Sequence, residues 1–182
     1  MSHSKQVYLF VPPDTAENPI VDYLSERFPP LPTSSMKTFY KARIEPYSSR
    51  SGKSFCNGME DILRDFGDAE DWLTLVSMND EDVFAILLFN LDYVNDDGKR
   101  NKNVDINIEL ICGNQALPPT GEGTKLLDIL EEASFKTNLF NIELSSVLRS
   151  VNFYTNKSYK IQNTSKYRGL VDMRKNTRAA SN

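Results

Sequence analysis

Residues 104–135 combine two hydrophobic periods around one glycine-bearing loop, and few folds accommodate that order. Before the loop, apolar and polar residues alternate, which is the pattern of a half-buried strand. The apolar positions are Val104, Ile106, Ile108 and Leu110. After the loop, apolar residues recur at the spacing of one helix face. These are Leu126, Leu127, Leu130 and Ala133. The stretch therefore predicts a strand, a loop and an amphipathic helix in direct succession.

The loop becomes the predicted helix at Gly121, Glu122 and Gly123. The first N–H groups of a helix have no intrahelical partner, and the helix dipole places partial positive charge beside them. A phosphate is the natural ligand for such a turn. The residues concerned are Thr120, Gly121, Glu122, Gly123, Thr124 and Lys125. The charge of Glu122 opposes this interpretation, and a turn without a ligand is the alternative.

An aromatic pair, Phe153-Tyr154, follows the predicted helix and a further apolar run, Phe140 to Leu144. Lys157-Ser158-Tyr159 comes directly after the pair. In this order the C-terminal half of the chain resembles the GNAT superfamily of acyl-CoA-dependent N-acetyltransferases. That superfamily has a Q/R-x-x-G-x-G/A loop, and here both glycines match whereas Pro118 stands at the first position. Its second motif is an aromatic pair followed by K-x-G-F, in which Ser158 replaces the glycine.

The resemblance implies that acetyl-CoA is the co-substrate and that its pyrophosphate binds at residues 120–125. It also implies that a backbone N–H near the end of the central strand polarises the thioester oxygen. The residues at that place are Ile111, Cys112 and Gly113.

The resemblance further implies a carboxylate on the central strand that takes a proton from the amine. Glu109 is the candidate, and Asp105 is the second choice. Tyr154 matches the position that protonates the departing thiolate in many members. A buried core tyrosine is the alternative, because helical spacing places Tyr154 on the same face as Val151.

The expected fold class is α/β and GNAT-like. We predict a mixed, mostly antiparallel sheet of six to seven strands, with a parallel central pair and flanking helices. The central pair consists of residues 104–111 and 140–144, joined by a right-handed crossover. The segment from Met36 to Pro46 is ambiguous between strand and helix. Residues 1–173 are predicted to form a single domain, and residues 174–182 a flexible basic tail.

Composition excludes several classes of function. The chain has 182 residues and a net charge of −4. Its single histidine, His3, lies in a segment expected to be frayed, so a Ser-His-Asp or Cys-His nucleophile is not expected. An acidic protein is not expected to bind nucleic acid in general, because such binding relies on Lys and Arg to neutralise phosphates. The longest apolar run, Val83 to Phe89, is too short to span a membrane. We therefore expect no nucleic-acid or membrane partner, no metal, and a cytoplasmic location with the nucleus not excluded. Cys56 and Cys112 are expected to remain thiols.

Without an activated nucleophile, acetyl transfer would go directly to a primary amine. The acceptor class favoured by the acidic turns is a polyamine, an aminoglycoside or a protein amine. These turns are Asp80-Glu81-Asp82 and Asp96-Asp97.

A second resemblance is to ornithine decarboxylase antizyme, which shares the GNAT-like fold and binds a protein partner without acetylating it. The residues that carry it are Ile108-Glu109-Leu110, Ala116-Leu117-Pro118 and Gly123-Thr124-Lys125. The alternative function is therefore a non-catalytic module that binds a protein.

Overall fold

The computed structural model describes residues 4–47, 55, 72–94, 100–164 and 169–178. Its strands are β1 (Gln6–Phe10), β2 (Leu73–Met78), β3 (Val83–Val94), β4 (Arg100–Gly113), β5 (Asn141–Val147), β6 (Lys160–Thr164) and β7 (Leu170–Asn176). Its α-helices are α1 (Pro19–Ser25), α2 (Met36–Phe39), α3 (Glu122–Lys136) and α4 (Val151–Asn156). A π-helical turn, Tyr40–Ile44, follows α2, and a 3₁₀ turn, Leu148–Ser150, precedes α4.

The strands form one seven-stranded sheet in the order β1-β2-β3-β4-β5-β7-β6. The pair β4 and β5 is parallel over Asp105–Ile108 and Asn141–Leu144. The pairs β1–β2, β5–β7 and β6–β7 are antiparallel. This arrangement confirms the predicted fold class, including the parallel pair on either side of the helix α3.

The helical segments before β2 begin at side-chain caps. Asn18 accepts a hydrogen bond from the Ile20 N–H at 3.0 Å, and Pro19 follows the cap. Ser35 accepts one from the Thr38 N–H at 3.1 Å. The ambiguous segment from Met36 is thus helical, because its start is capped.

The described residues form two compact units, each with its own core. One unit contains residues 1–88 and 110–129, and the other contains residues 89–109 and 130–182. The core of the first unit joins α2, β2 and the start of β3. Its members include Phe10, Leu31, Met36, Phe39, Trp72, Val76, Ile86 and Leu88. The prediction of a single domain over residues 1–173 stays a prediction.

The second unit is built around β5, β7 and the last turns of α3. Its buried residues include Leu130, Ala133, Ile142, Leu144, Tyr154, Tyr159, Val171 and Met173. Lys175 on β7 forms an ion pair with Glu131 on α3 at 2.6 Å, and both side chains are largely buried. This ion pair holds Glu131 against β7 rather than in solvent.

The predicted basic tail begins too early. Arg174 and Lys175 lie in β7, where Arg174 forms ion pairs with Asp105 at 3.5 Å and Glu143 at 3.3 Å. Ordered structure continues to Arg178. The error arose because these residues show no hydrophobic period, whereas strand pairing with β5 and β6 orders them. Residues 179–182 lie outside the described part of the chain.

Candidate functional site

The turn that opens α3 has the backbone geometry of an anion-binding turn. Gly121 has φ +73, a conformation that favours glycine. Its carbonyl accepts the first intrahelical hydrogen bond, from the Lys125 N–H at 3.1 Å. The N–H groups of Glu122, Gly123 and Thr124 therefore precede the hydrogen-bonded ladder of the helix. No heavy atom lies within 4 Å of a β-carbon built on Gly121, so the space beside the turn is open.

Glu122 is directed inward, away from that open space. Its side chain is only 10% exposed and accepts a hydrogen bond from Ser77 Oγ at 2.6 Å. Lys5 Nζ lies 3.7 Å and Lys125 Nζ lies 3.5 Å from its carboxylate. Two cations thus neutralise one buried carboxylate, and the local charge is positive.

The ionisation of Glu122 follows from these contacts. Burial by itself raises the pKa of its carboxyl group. The hydrogen bond from Ser77 and the charges of Lys125 and Lys5 outweigh burial, so the pKa is lowered overall. Glu122 is therefore a carboxylate at neutral pH, bonded within the protein. The negative charge of Glu122, which opposed phosphate binding in the sequence, is therefore compensated in the fold by Lys5 and Lys125.

The end of β4 lies against the start of α3. A β-carbon on Gly123 would be 3.7 Å from the Gly113 nitrogen and 3.9 Å from the Cys112 carbonyl carbon. Ile111, Cys112 and Gly113 are the last residues of the strand. The structure thus places the predicted thioester contacts beside the predicted phosphate turn, within one compact unit.

Cys112 is disulfide-bonded, so the expectation of a free thiol at this position was wrong. The other cysteine of the chain, Cys56, lies outside the described residues. Disulfides are rare in reducing compartments, so this bond is an argument against a cytoplasmic location. The predicted location itself is not tested and stays a prediction. Among the described helices, none has the length and apolar character needed to cross a bilayer.

Glu109 lies on β4 and lines a cleft of about 440 Å³ in the second unit. The Asn90 side-chain amide on β3 donates a hydrogen bond to Glu109 Oε1 at 2.7 Å. Burial raises the pKa of Glu109, and this hydrogen bond opposes the rise only in part. A carboxylate with a raised pKa that lines a cleft is a suitable acceptor for a proton.

Acidic and polar side chains line the rest of this cleft. They include Asn107, Glu143, Ser145, Gln162, Asn163 and Asp172. Glu143 is paired with Arg174, whereas Asp172 accepts a hydrogen bond from Ser145 Oγ at 2.7 Å. No group of three or more His, Cys, Asp or Glu among the described residues could hold a metal ion. The carboxyl groups of the cleft are those of Glu109, Glu143 and Asp172.

Asp105, the second choice for the base, is held by Arg174 at 3.5 Å and does not line the cleft. Its Oδ1 is buried and makes no described hydrogen bond. Glu109 is therefore the better-placed carboxylate of β4.

Tyr154 lies on α4 and is buried among aromatic rings. Its ring makes edge contacts with Phe153 at 5.0 Å and Tyr159 at 5.6 Å between centroids. Burial raises the pKa of Tyr154 to about 12. The phenol therefore keeps its proton at neutral pH and can donate a hydrogen bond. No hydrogen bond among the described residues joins Tyr154 to Glu109.

Ser158 is one departure of this chain from the family motif, and its backbone conformation shows how the serine is accommodated. It has φ +69, in the left-handed region that favours glycine, which is the residue the family has at this position. The Tyr159 N–H returns to the Tyr154 carbonyl at 3.0 Å and closes α4. The turn of the motif is thus kept, although serine adopts it at a strain of about 1 kcal/mol.

Several residues of these sites were not predicted from the sequence. Ser77, Lys5, Asn90 and Asp172 belong to other elements and have no motif of their own. Glu143 and Ser145 lie two residues apart on β5 and therefore share one face of the strand. Only the strand register places Glu143 opposite Asn107 and beside Arg174.

The Glu122 cluster predicts a pH-dependent contribution to stability. Because the pKa of Glu122 is lowered on folding, its stabilisation is present above its unfolded value of 4.5 and is lost as the pH falls through the folded value. We expect Glu122→Gln to lower the free energy of unfolding by about 1 kcal/mol at neutral pH. The difference should be smaller at acidic pH, below 4.5, where Glu122 becomes protonated in the folded protein as well.

Urea unfolding of wild type and variant at both pH values measures this difference. Glu132→Gln, on the exposed face of the same helix, is the control and should show no comparable loss. A Glu122→Gln effect that is equal at both pH values would contradict the assignment.

The chain is similar to known proteins in its structure. The sequence matches no protein-family model and no curated protein. A candidate N-acetyltransferase from Lactobacillus plantarum is similar, with TM-score 0.56 and 15% identity over 96% of this chain and 99% of that chain. An acyl-CoA N-acyltransferase from Pseudomonas aeruginosa has TM-score 0.52 and 15% identity over 94% and 99%. A candidate GNAT acetyltransferase from Desulfovibrio desulfuricans has TM-score 0.53 and 11% identity over 74% and 90%.

At these identities the likeness concerns the fold. Two of the three structures align with the chain over nearly its whole length. The sheet with its parallel pair β4–β5 agrees with the fold class predicted from the sequence. The chain therefore has the fold of the GNAT superfamily of N-acetyltransferases.

Proposed function

We propose that the protein is an acetyl-CoA-dependent N-acetyltransferase that transfers acetyl directly to a primary amine. One observation carries this proposal. The strand β4 places Glu109, a carboxylate of raised pKa, in an open cleft and ends at Gly113 against the glycine turn of α3. A proton acceptor and an anion-binding turn are thus supplied by consecutive parts of one chain segment.

The cofactor would be held by the start of α3. The N–H groups from Thr120 to Lys125 suit the pyrophosphate, and Lys125 adds a half-exposed cation. Inward orientation of Glu122 keeps its charge bonded to Ser77 and Lys5. Bound acetyl-CoA would supply the activated acetyl group.

The transfer itself follows from groups of β4 and α4. Glu109 would accept the proton of the ammonium group, directly or through water, so that the amine nitrogen can attack the thioester carbon. An N–H of Ile111, Cys112 or Gly113 would stabilise the thioester oxygen as it gains charge. As the C–N bond forms and the C–S bond breaks, Tyr154 would donate a hydrogen bond to the departing sulfur, and the second proton lost by the nitrogen would pass to the thiolate or to water.

Direct transfer is favoured over a covalent enzyme intermediate. Cys112 is disulfide-bonded and is not a thiolate nucleophile. The only histidine of the sequence is His3, near the N-terminus. The amine would therefore react with the thioester itself.

The lining of the cleft supports a cationic acceptor, such as a polyamine, an aminoglycoside or a protein amine. Glu109, Glu143 and Asp172 line it, and negative charge attracts an ammonium group. The acidic turn that first suggested this class has another role. Within it, Asp82 Oδ1 accepts a hydrogen bond from the Tyr47 hydroxyl at 3.0 Å. The second acidic turn, Asp96-Asp97, lies outside the described residues.

Calorimetry with acetyl-CoA tests the proposal. We expect one site per chain and binding that weakens as salt is added, because the ligand is an anion. Lys125→Glu should weaken binding by roughly tenfold, since it places a negative charge at the start of α3. Lys136→Glu, at the other end of the same helix, should bind as the wild type does.

Absence of binding at millimolar acetyl-CoA would overturn the proposal. It would favour the alternative, a GNAT-fold module that binds a protein, as ornithine decarboxylase antizyme does. A pull-down with ornithine decarboxylase then tests that alternative.

A further inference from the structure

The amide of Asn90 makes the closest described polar contact to Glu109. Asn90 lies on β3, which neighbours β4 in the sheet, and its Nδ2 is 2.7 Å from Glu109 Oε1. Both residues are half-buried and belong to the same compact unit. Among the described residues, Asn90 is the only side-chain donor to this carboxylate. The contact fixes one oxygen of Glu109 and leaves the other available to the cleft.

The other surroundings of Glu109 do not favour its ionised form. None of the described residues that line this cleft is a cation, and Glu143 on β5 and Asp172 on β7 are its other acidic members. Arg174 on β7 is paired with Glu143 and Asp105. Burial disfavours the carboxylate form of Glu109. The Asn90 amide is therefore the described contact that favours ionised Glu109.

We propose that Asn90 is a positioning residue that holds Glu109 ionised and oriented toward the cleft, so that Glu109 can accept the proton of the acceptor amine. This inference rests on the proposed acetyl transfer. It assigns to β3 a part in the reaction that no sequence motif indicates. An amide donor suits the task, because it stabilises the carboxylate without adding a positive charge that would repel an ammonium group.

Two substitutions of Asn90 test the assignment. Asn90→Leu keeps the approximate volume and removes the donor, so the titration midpoint of Glu109 should move to higher pH. Asn90→Asp places a second carboxylate at the same position, and the midpoint should move further in the same direction. Asn176→Leu is the matched control, because its amide donates to a neutral group, Asn141 Oδ1, at 3.3 Å.

The titration is followed by the carboxyl ¹³C resonance of Glu109, assigned with Glu109→Gln. Turnover is measured against pH with acetyl-CoA and a diamine. Below the titration midpoint of Glu109, Asn90→Leu should lower turnover roughly tenfold for each pH unit by which that midpoint rises, and the loss should shrink at high pH, where Glu109 is ionised in both proteins. In a Glu109→Gln background, Asn90→Leu should cause no additional loss.

A loss that is equal at every pH, or that persists in the Glu109→Gln background, would show that Asn90 supports only the fold and would overturn the inference. An unmoved midpoint in Asn90→Leu would overturn it as well. The titration needs neither acetyl-CoA nor an acceptor. A wild-type protein that transfers no acetyl therefore overturns the proposed function, whereas an unmoved midpoint overturns the role of Asn90 alone.

Discussion

Replacing Glu109 with glutamine is expected to lower turnover by roughly a hundredfold or more, because a positioned general base typically contributes about that factor. Glutamine keeps the shape of the side chain and can still accept the hydrogen bond from Asn90, so folding should be spared. In the wild type, turnover should rise with pH through the raised pKa of Glu109, above the usual range of a glutamate. Steady-state kinetics against pH should show this rise in the wild type and lose it in the variant.

Asp105→Asn discriminates between the two carboxylates of β4. Asp105 is paired with Arg174 and lies outside the cleft. This variant should therefore keep the rise of turnover with pH, which is the acidic limb of the pH profile. Loss of that limb in Asp105→Asn, together with its persistence in Glu109→Gln, would assign the base to Asp105 instead.

Replacing Tyr154 with phenylalanine is expected to cut turnover by roughly ten- to a thousandfold while folding is preserved. The substitution keeps the ring, which packs against Phe153 and Tyr159, and removes only the hydroxyl. The pKa of Tyr154 is about 12, above the value of about 8.5 for a thiol, so complete proton transfer to the thiolate is unfavourable. We therefore assign Tyr154 as a hydrogen-bond donor to the sulfur.

This assignment has a pH signature. A phenol with a pKa of about 12 stays protonated across the working range, so Tyr154 should contribute no limb to the profile between about pH 7 and pH 10. Tyr159→Phe, which removes a hydroxyl from the neighbouring ring, is the control for the loss of a buried hydroxyl. Turnover in Tyr154→Phe equal to that of the wild type would reduce Tyr154 to a core residue.

Local patterns were sufficient for the elements of the fold. The strand β4 and the helix α3 follow from the change of hydrophobic period within residues 104–135, which depends only on neighbouring residues. The turn between β2 and β3 also depends on neighbouring residues, because the Asn79 side chain accepts hydrogen bonds from the N–H groups of Glu81 and Asp82. Boundaries were less well predicted, because strand pairing extends β4 and β7 beyond their periodic residues.

The candidate site was predictable where one segment supplies it. The glycine turn, the end of β4 and Glu109 are all parts of the segment from β4 to α3, and their roles follow from the family resemblance. The structure supports the phosphate turn through Gly121, whose positive φ requires the residue that the motif has there. These site assignments stay proposals until a ligand is bound.

The sequence by itself determined the order of strands and helices and the place of the glycine turn, since these depend on period and on residue type at fixed spacing. Tertiary structure alone decided the charge of the site. It directs Glu122 to Ser77 and Lys5, places Asn90 beside Glu109, and brings Arg174 from the supposed tail to Glu143. These contacts join residues far apart in the chain, and they depend on which strands pair and in what register. Burial and neighbouring charge set the pKa of a carboxyl group, and both arise only when those strands have come together.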